Sequence, residues 1–419
     1  MLPADSAFAS HSLLRMRSFR QFWCARVAAG FGYQMLSVAV GWQIYALTHR
    51  TLDLGLIGLA QFVPSLLLML PAGHLADRHE RRRILLAAEW LQGLALVLLA
   101  AGSFLHWLNE GVILLLVLLI GVGKAFEFPV RQALLPGLVS PALLPRAMAA
   151  SASAGQMTIM VGPALGGFLY LAGPGTVYLI SACLYLGAAL LFWRMPAVPP
   201  PVMRASRTLK TVFAGIAYIR QRPVIFGAIS LDLFAVLLGG ATALLPAFAR
   251  DILHTGPWGL GLLRAAPAVG ALVMSVWLAR WPLRRAVGKI MFASVAGFGL
   301  ATLVFALSTS FLLSLAALCV LGAFDMVSVV IRGTLVQLDT PDDMRGRVSA
   351  VNAMFVTTSN QLGEFESGVT AAWFGTVPAV MIGGLGTLAV VGLWMWWFPA
   401  LRKRERLETA VADRVFQCR

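Results

Sequence analysis

Apolar stretches long enough to cross a bilayer recur along the whole chain and leave little room for anything else. A spanning helix needs about 20 predominantly apolar residues. Segments of that kind fall at residues 22–46, 54–76, 84–106, 111–134, 147–172 and 175–195, and again at 223–249, 257–280, 288–307, 311–337, 347–373 and 376–398. Composition excludes the soluble alternative, because 59% of the 419 residues are hydrophobic and only 12% are charged, against about a quarter charged in soluble domains. The expected fold is therefore an all-α membrane protein of twelve transmembrane helices. Arg15, Arg17 and Arg20 precede the first run without a cleavable apolar core, so the first helix is expected to act as its own targeting signal.

The net charge of +15 does not point to nucleic acid, since the basic residues form short clusters between apolar runs rather than one face. With both termini in the cytoplasm, most of the 33 Lys and Arg fall on the inner side. Arg50, Arg250 and Arg264 fall outside, and Lys124, Arg131 and Arg332 lie within helices. That distribution sets the expected orientation. Residues 196–222, rich in proline and arginine, suit a cytoplasmic linker, and residues 401–419 form a basic tail near anionic headgroups or free in solvent. Cys24, Cys183, Cys319 and Cys418 lie far apart without metal spacing. The six histidines do not cluster, and no HExxH, GxSxG, GxxxxGK[ST] or GxGxxG occurs. Neither an enzyme, a metal site nor a cofactor is expected, and the missing nucleotide-binding motif argues against ATP as the driver.

An internal repeat divides the chain. At an offset of about 201 residues, Arg131 falls on Arg332 and Arg146 on Arg347, and SPALLPRAMAASA (Ser140 to Ala152) overlays TPDDMRGRVSAVNA (Thr340 to Ala353) with one insertion. The expected organisation is a six-helix half over 1–195, the linker over 196–222, a second six-helix half over 223–400 and the tail over 401–419. Two parallel halves around a site near the midplane are an architecture of rocking transporters.

The loop after the second apolar run reads GHLADRHERRR, with Gly73, Leu75, Asp77, Arg78, Arg81 and Arg82 placing a carboxylate at a helix end beside a basic cluster. Here the chain resembles the major facilitator superfamily, whose signature in this loop runs GxLxDRxGRR. The resemblance extends through the twelve-helix layout over essentially the whole chain. It implies that Asp77 holds the inner side closed by favouring the positive end of the eleventh helix near Arg345 and Arg347, an interaction worth up to about 2 kcal/mol. The plainer reading is that the cluster only sets topology. Glu80 stands where the family commonly has glycine, and Arg280 occupies the position of Asp77 in the second half, so the latch is one-sided.

MVGPALGG (Met160 to Gly167) is similar to the fifth-helix signature of the antiporter branch, in which Gly162, Pro163, Gly166 and Gly167 allow close helix approach and a bend; generic packing of small residues is the alternative. In the fourth run, GKAFEFPVR puts Lys124, Glu127 and Arg131 on one face around Pro129, and charges this deep face a cavity or one another. The resemblance implies that helices one, four, seven and ten line the path. That selects Arg26, Gln34, Lys124, Glu127, Asp232 and Asp325 as cavity residues, with Arg131 and Arg332 joining Arg146 as gating residues. A pair between Lys124 and its repeat partner Asp325 is open, as is a purely structural ion-pair network. Val117 and Ile120 stand where the antiporter branch has its arginine and glutamine, so proton coupling would need Glu127 or Asp232 instead. In the eleventh run Glu364 and Glu366 sit two apart and cannot face one cavity together, so one is expected to contact a neighbouring helix and the other to join the cavity residues as a proton-titratable group, while Trp394, Trp396 and Trp397 suit an interfacial aromatic belt.

DRHERRR and MRGRVSAVNAMF carry a finer resemblance, to the exporter branch that includes siderophore exporters. It implies a monomeric secondary transporter of the bacterial inner membrane. Such a protein drives proton-coupled efflux of a small amphiphilic solute or siderophore by alternating access. The alternatives are an importer or a lysophospholipid-type flippase of the same fold and, more remotely, a membrane protein without transport activity.

Overall fold

The computed structural model describes residues 13–196, 209–283 and 285–406. It is all-helical, with no strand among the described residues. The first six long helices are α1 (Arg17–Thr48), α2 (Thr51–Arg78), α3 (Arg81–Phe104), α4 (Glu110–Leu134), α5 (Leu144–Leu169) and α6 (Pro174–Trp193). After α7 (Leu209–Arg220), α8 (Pro223–Leu238) breaks and resumes through a short turn, α9 (Leu245–Ala247) and a π-helical turn at Phe248–Ile252. There follow α10 (Pro257–Arg280), α11 (Val287–Leu307), α12 (Phe311–Leu338), α13 (Asp342–Phe374), α14 (Thr376–Trp397) and α15 (Pro399–Arg402). Counting α8 with its continuation, ten helices among the described residues are long and apolar enough to cross a membrane. The other two long ones, α1 with 32 residues and α13 with 33, have the length but more polar sequences.

Local sequence sets the helix ends. Asn109 caps α4 by accepting the Val112 N–H at 3.0 Å. Gly173 (φ 98°) and Gly375 (φ 92°) turn the chain into α6 and α14, one repeat length apart, in a backbone region open mainly to glycine. His49, His106 and His254 also adopt positive φ, just beyond helical segments, so three of the six histidines serve as chain-reversal positions.

The chain forms two compact units. Unit 1 spans Met1–Ala39 and Val63–Ser206, and unit 2 spans Val40–Phe62 and Arg207–Arg419. By packing, the hairpin joining α1 to α2 thus belongs to unit 2, not to the residues 1–195 expected to go together. The cause is close approach: Gly55 and Gly368 are each other's neighbours, Gly58 abuts Glu364, and the Tyr45 hydroxyl donates to the Asp251 carboxylate. Within unit 1, α3 packs against α4 and α6; within unit 2, α11 and α12 pack on each other, α12 on α10 and α14 on α11.

Four further differences have physical reasons. The seventh apolar run is broken at Gly239–Gly240 and not one helix, because two successive glycines weaken the backbone ladder and any side chain at Gly240 would meet the Gly363 carbonyl. The segment read as a linker contains α7, which buries Ile219 against Val348 and Val351 of α13; its residues 197–208 lie outside the described residues. The start of the tail is neither free nor merely on the surface: the Gly288 N–H donates to the Arg404 carbonyl at 2.9 Å, and Arg404 pairs with Asp339 at 2.9 Å. Residues 407–419, including Cys418, lie outside the described residues. Trp394 is 7% exposed and donates to Ser230 at 2.9 Å, so it belongs to the unit 2 core, while Trp396 and Trp397 stay exposed.

Candidate functional site

Each unit holds a separate set of charged side chains inside its helical body. In unit 1 the set is built on α4. Glu127 is 4% exposed, and one of its oxygens takes the Arg131 guanidinium one turn along the same helix. Its other oxygen accepts from Gln92 of α3 at 3.3 Å. Gly123 makes that possible, since a Cβ there would stand 2.6 Å from the Gln92 side chain. Lys124, one turn before Glu127 on α4, has its ammonium 2.9 Å from the centre of the Tyr33 ring. Arg26 of α1 is half-buried beside Gly155 of α5, and its Nε has no hydrogen-bond acceptor. Gln34 packs against Gly162, and Gly166 against the backbone at Met35, so α5 lies close along α1. Pro163 and Gly167 are buried within α5.

In unit 2 the set is built on α8 and α12. Arg332, the repeat partner of Arg131, forms an ion pair with Asp232, and the two side chains are 5% and 6% exposed. A small cavity beside the pair is lined by Asp232, Asp325, Ser328, Phe298 and Phe324. The Ser328 hydroxyl is buried without a partner. Thus both repeat-related arginines hold one carboxylate, the first within its own helix and the second on a neighbour. On α13, Glu366 accepts from Thr370 at 2.8 Å, and Glu364 lies against Gly58 of α2.

The loop residues divide differently from the expected gating set. Arg81 donates to the Ala133 carbonyl at 2.6 Å, near the C-terminus of α4, and Arg82 to the Met195 carbonyl at 2.5 Å, beyond the end of α6. Both therefore satisfy helix-terminal carbonyls inside unit 1. Glu80, the departure from the family pattern, pairs with Arg82 at 2.9 Å and Arg83 at 2.7 Å. Gly73 has open space where a Cβ would be. Arg78 is exposed at the end of α2, and Arg146 is exposed in the first turn of α5. The side chain of Asp77 lies outside the described residues. Arg345 donates to the Gln337 carbonyl at 3.2 Å, and Arg347 is exposed.

Sequence reasoning missed Glu89, Gln92, Asp53 and the Tyr45–Asp251 contact. Glu89 is 1%, Gln92 0% and Asp53 2% exposed. The available signal for Glu89 was an acid inside an apolar run, which is costly in a membrane wherever it falls.

A many-helix membrane body with ionisable groups held inside each of its two units defines the class as a polytopic membrane transporter. The chain belongs to the transmembrane secretion effector family of the major facilitator superfamily, which it matches over residues 7–417. It is 29% identical over 409 residues to the enterobactin exporter of Citrobacter koseri, covering 96% of this chain and 97% of that protein. To the enterobactin exporter of an Escherichia coli strain it is 27% identical over 399 residues, covering 94% of each. Among solved structures it resembles the nucleoside transporter NupG (TM-score 0.73, 12% identity, 91% of this chain and 99% of that one). It also resembles a bacterial homologue of the iron transporter ferroportin (TM-score 0.66, 19% identity, 94% and 100%). Those two likenesses show the fold alone.

Proposed function

We propose that this protein exports a small amphiphilic solute of the catecholate siderophore type across the bacterial inner membrane, by alternating access and in exchange for protons. The observation that carries the reading is full-length similarity to proteins named enterobactin exporters. The buried charges support it, since charged side chains are retained inside a membrane body where they serve a path or a coupling step. In this reading both termini are cytoplasmic and the protein acts as a monomer. Arg26, Gln34, Lys124, Asp232 and Asp325 face the solute path, and Asp232–Arg332 and Glu127–Arg131 are the pairs that rearrangement breaks and remakes. Asp77, Arg78, Arg146 and Arg347 control closure of the inner side.

The test is siderophore release. A strain that makes enterobactin but lacks its own exporter should regain enterobactin in the medium when it expresses this protein, and a protonophore should abolish the gain. No release of enterobactin, with accumulation inside the cells unchanged, would reject the substrate class.

A further inference from the structure

The α3 helix carries two buried acceptors with nothing to donate to them. Glu89 is 1% exposed and Gln92 0%, and a spacing of three puts them on one face. Gln92 donates to the Ala88 carbonyl at 3.2 Å and to Glu127 Oε2 at 3.3 Å. Its own Oε1 receives no hydrogen bond, and neither does Glu89 Oε2. Among the described residues Glu89 forms no ion pair, whereas Glu127 has Arg131. Among the described residues, the charged and titratable groups that act on Glu89 are Glu127 and Arg131 from α4 and Tyr185 from α6. Arg26 acts on Glu127 and Arg131 instead.

This arrangement is short of one proton. An ionised carboxylate only accepts, while a protonated one also donates, and a buried acceptor left unpaired costs about 1–3 kcal/mol, more if it is charged. Arg131 is committed to Glu127, and the Glu127 charge opposes a second negative charge beside it. One proton on Glu89 removes the charge conflict and eases the other, because it neutralises the carboxyl and turns one of the two stranded acceptors into a donor.

We propose that Glu89 and Glu127, the second bonded to Gln92 one turn along α3 from Glu89, form a one-proton site in unit 1, with Glu89 holding the proton while Glu127 stays ionised against Arg131. The site takes one proton from water and later returns one proton to water, with no other bond made or broken. Deprotonation of Glu89 leaves two carboxylates competing for Arg131, which favours a different packing of α3 on α4. A proton is thereby linked to the position of a helix that carries Lys124, Glu127 and Arg131, although α3 is not among the helices implied to line the path. The inference rests on the proton-coupled export proposed above, and it adds a residue that reading does not use.

The test has a substrate-independent arm. pH-difference infrared spectra of the purified full-length protein in lipid should show a carboxyl C=O band whose intensity changes with pH. Glu89→Gln should abolish the band, and Glu89→Asp should restore it at a shifted midpoint. The same band in Glu89→Gln, or no titrating carboxyl in the wild type, would overturn the proposal. The second arm follows dissipation of an imposed pH gradient in proteoliposomes, with enterobactin and ethidium as probes. If both probes leave the gradient intact while the Glu89 band titrates, the proton site stands and the export reading fails. If Glu89→Gln dissipates the gradient as the wild type does, the export reading stands and the proton site is wrong.

Discussion

Removal of Arg332 from its pair with Asp232 should be among the most damaging single changes in unit 2. Both side chains are nearly inaccessible, at 5% and 6% exposure, so Arg332→Met leaves Asp232 as an uncompensated charge among Ala228, Leu231, Ala235 and Val327. Breaking one side of a buried pair costs about 3–5 kcal/mol. At about 2–4 °C per kcal/mol for a unit of this size, the apparent unfolding midpoint should fall by roughly 6–20 °C. The double change Asp232→Leu with Arg332→Met removes both charges and should recover most of the loss, since an apolar replacement of a buried pair is often neutral or stabilising. The repeat-related Arg131→Met strands Glu127, whose side chain is 5% exposed, and should also be destabilising, though less so because Gln92 still donates to that carboxylate. The assay is thermal unfolding of purified protein at one scan rate for the wild type, both single variants and the double variant. A double variant no more stable than Arg332→Met, or a coupling energy below about 0.5 kcal/mol, would refute the idea that the pair is energetically closed on itself.

Three other outcomes follow from packing. Gly322→Leu should yield no monodisperse protein, because its Cβ would run into the Pro267 carbonyl of α10 while Gly270 meets the Cys319 carbonyl from the other side; wild-type size-exclusion behaviour would contradict this. Tyr45→Phe removes the hydroxyl that donates to Asp251 and should lower stability by about 1.5–3 kcal/mol, as for other hydrogen bonds to a charged group, while Tyr33→Phe should not affect that contact; equal unfolding midpoints for Tyr45→Phe and wild type would contradict it. Arg404→Ala breaks the pair with Asp339 and should speed tryptic cleavage near residues 402–406 at least severalfold, whereas an unchanged cleavage rate would mean that the backbone bonds to Val287 and Gly288 alone hold this stretch.

Much of the fold is legible in the sequence because bilayer-length apolar runs encode helices directly. The run read at 257–280 is α10 to the residue, and the run at 111–134 differs from α4 by one. What periodicity conceals is where a helix is interrupted or recruited. The Gly239–Gly240 break sits inside an apolar run that scores as continuous, and α7 is a 12-residue segment too short to register as a membrane helix. The candidate site was legible where charge stands out from its surroundings, as in GKAFEFPVR, but the partners of those charges were not. Arg332 finds Asp232 about a hundred residues away, and Trp394 is buried by contacts with Phe234 and Ser230 that no local pattern specifies. Glu80 illustrates the same limit, since its departure from the family glycine becomes intelligible only beside Arg82 and Arg83.

The central claim is that solute leaves as protons enter, and the most direct measurement is proton movement caused by solute. In everted membrane vesicles with an acidified interior, enterobactin added outside should dissipate the pH gradient in proportion to its uptake, as read by a pH-sensitive dye. The gradient should persist when the vesicles lack this protein. Enterobactin uptake with no loss of the gradient, and the same uptake after a protonophore, would contradict proton-driven export.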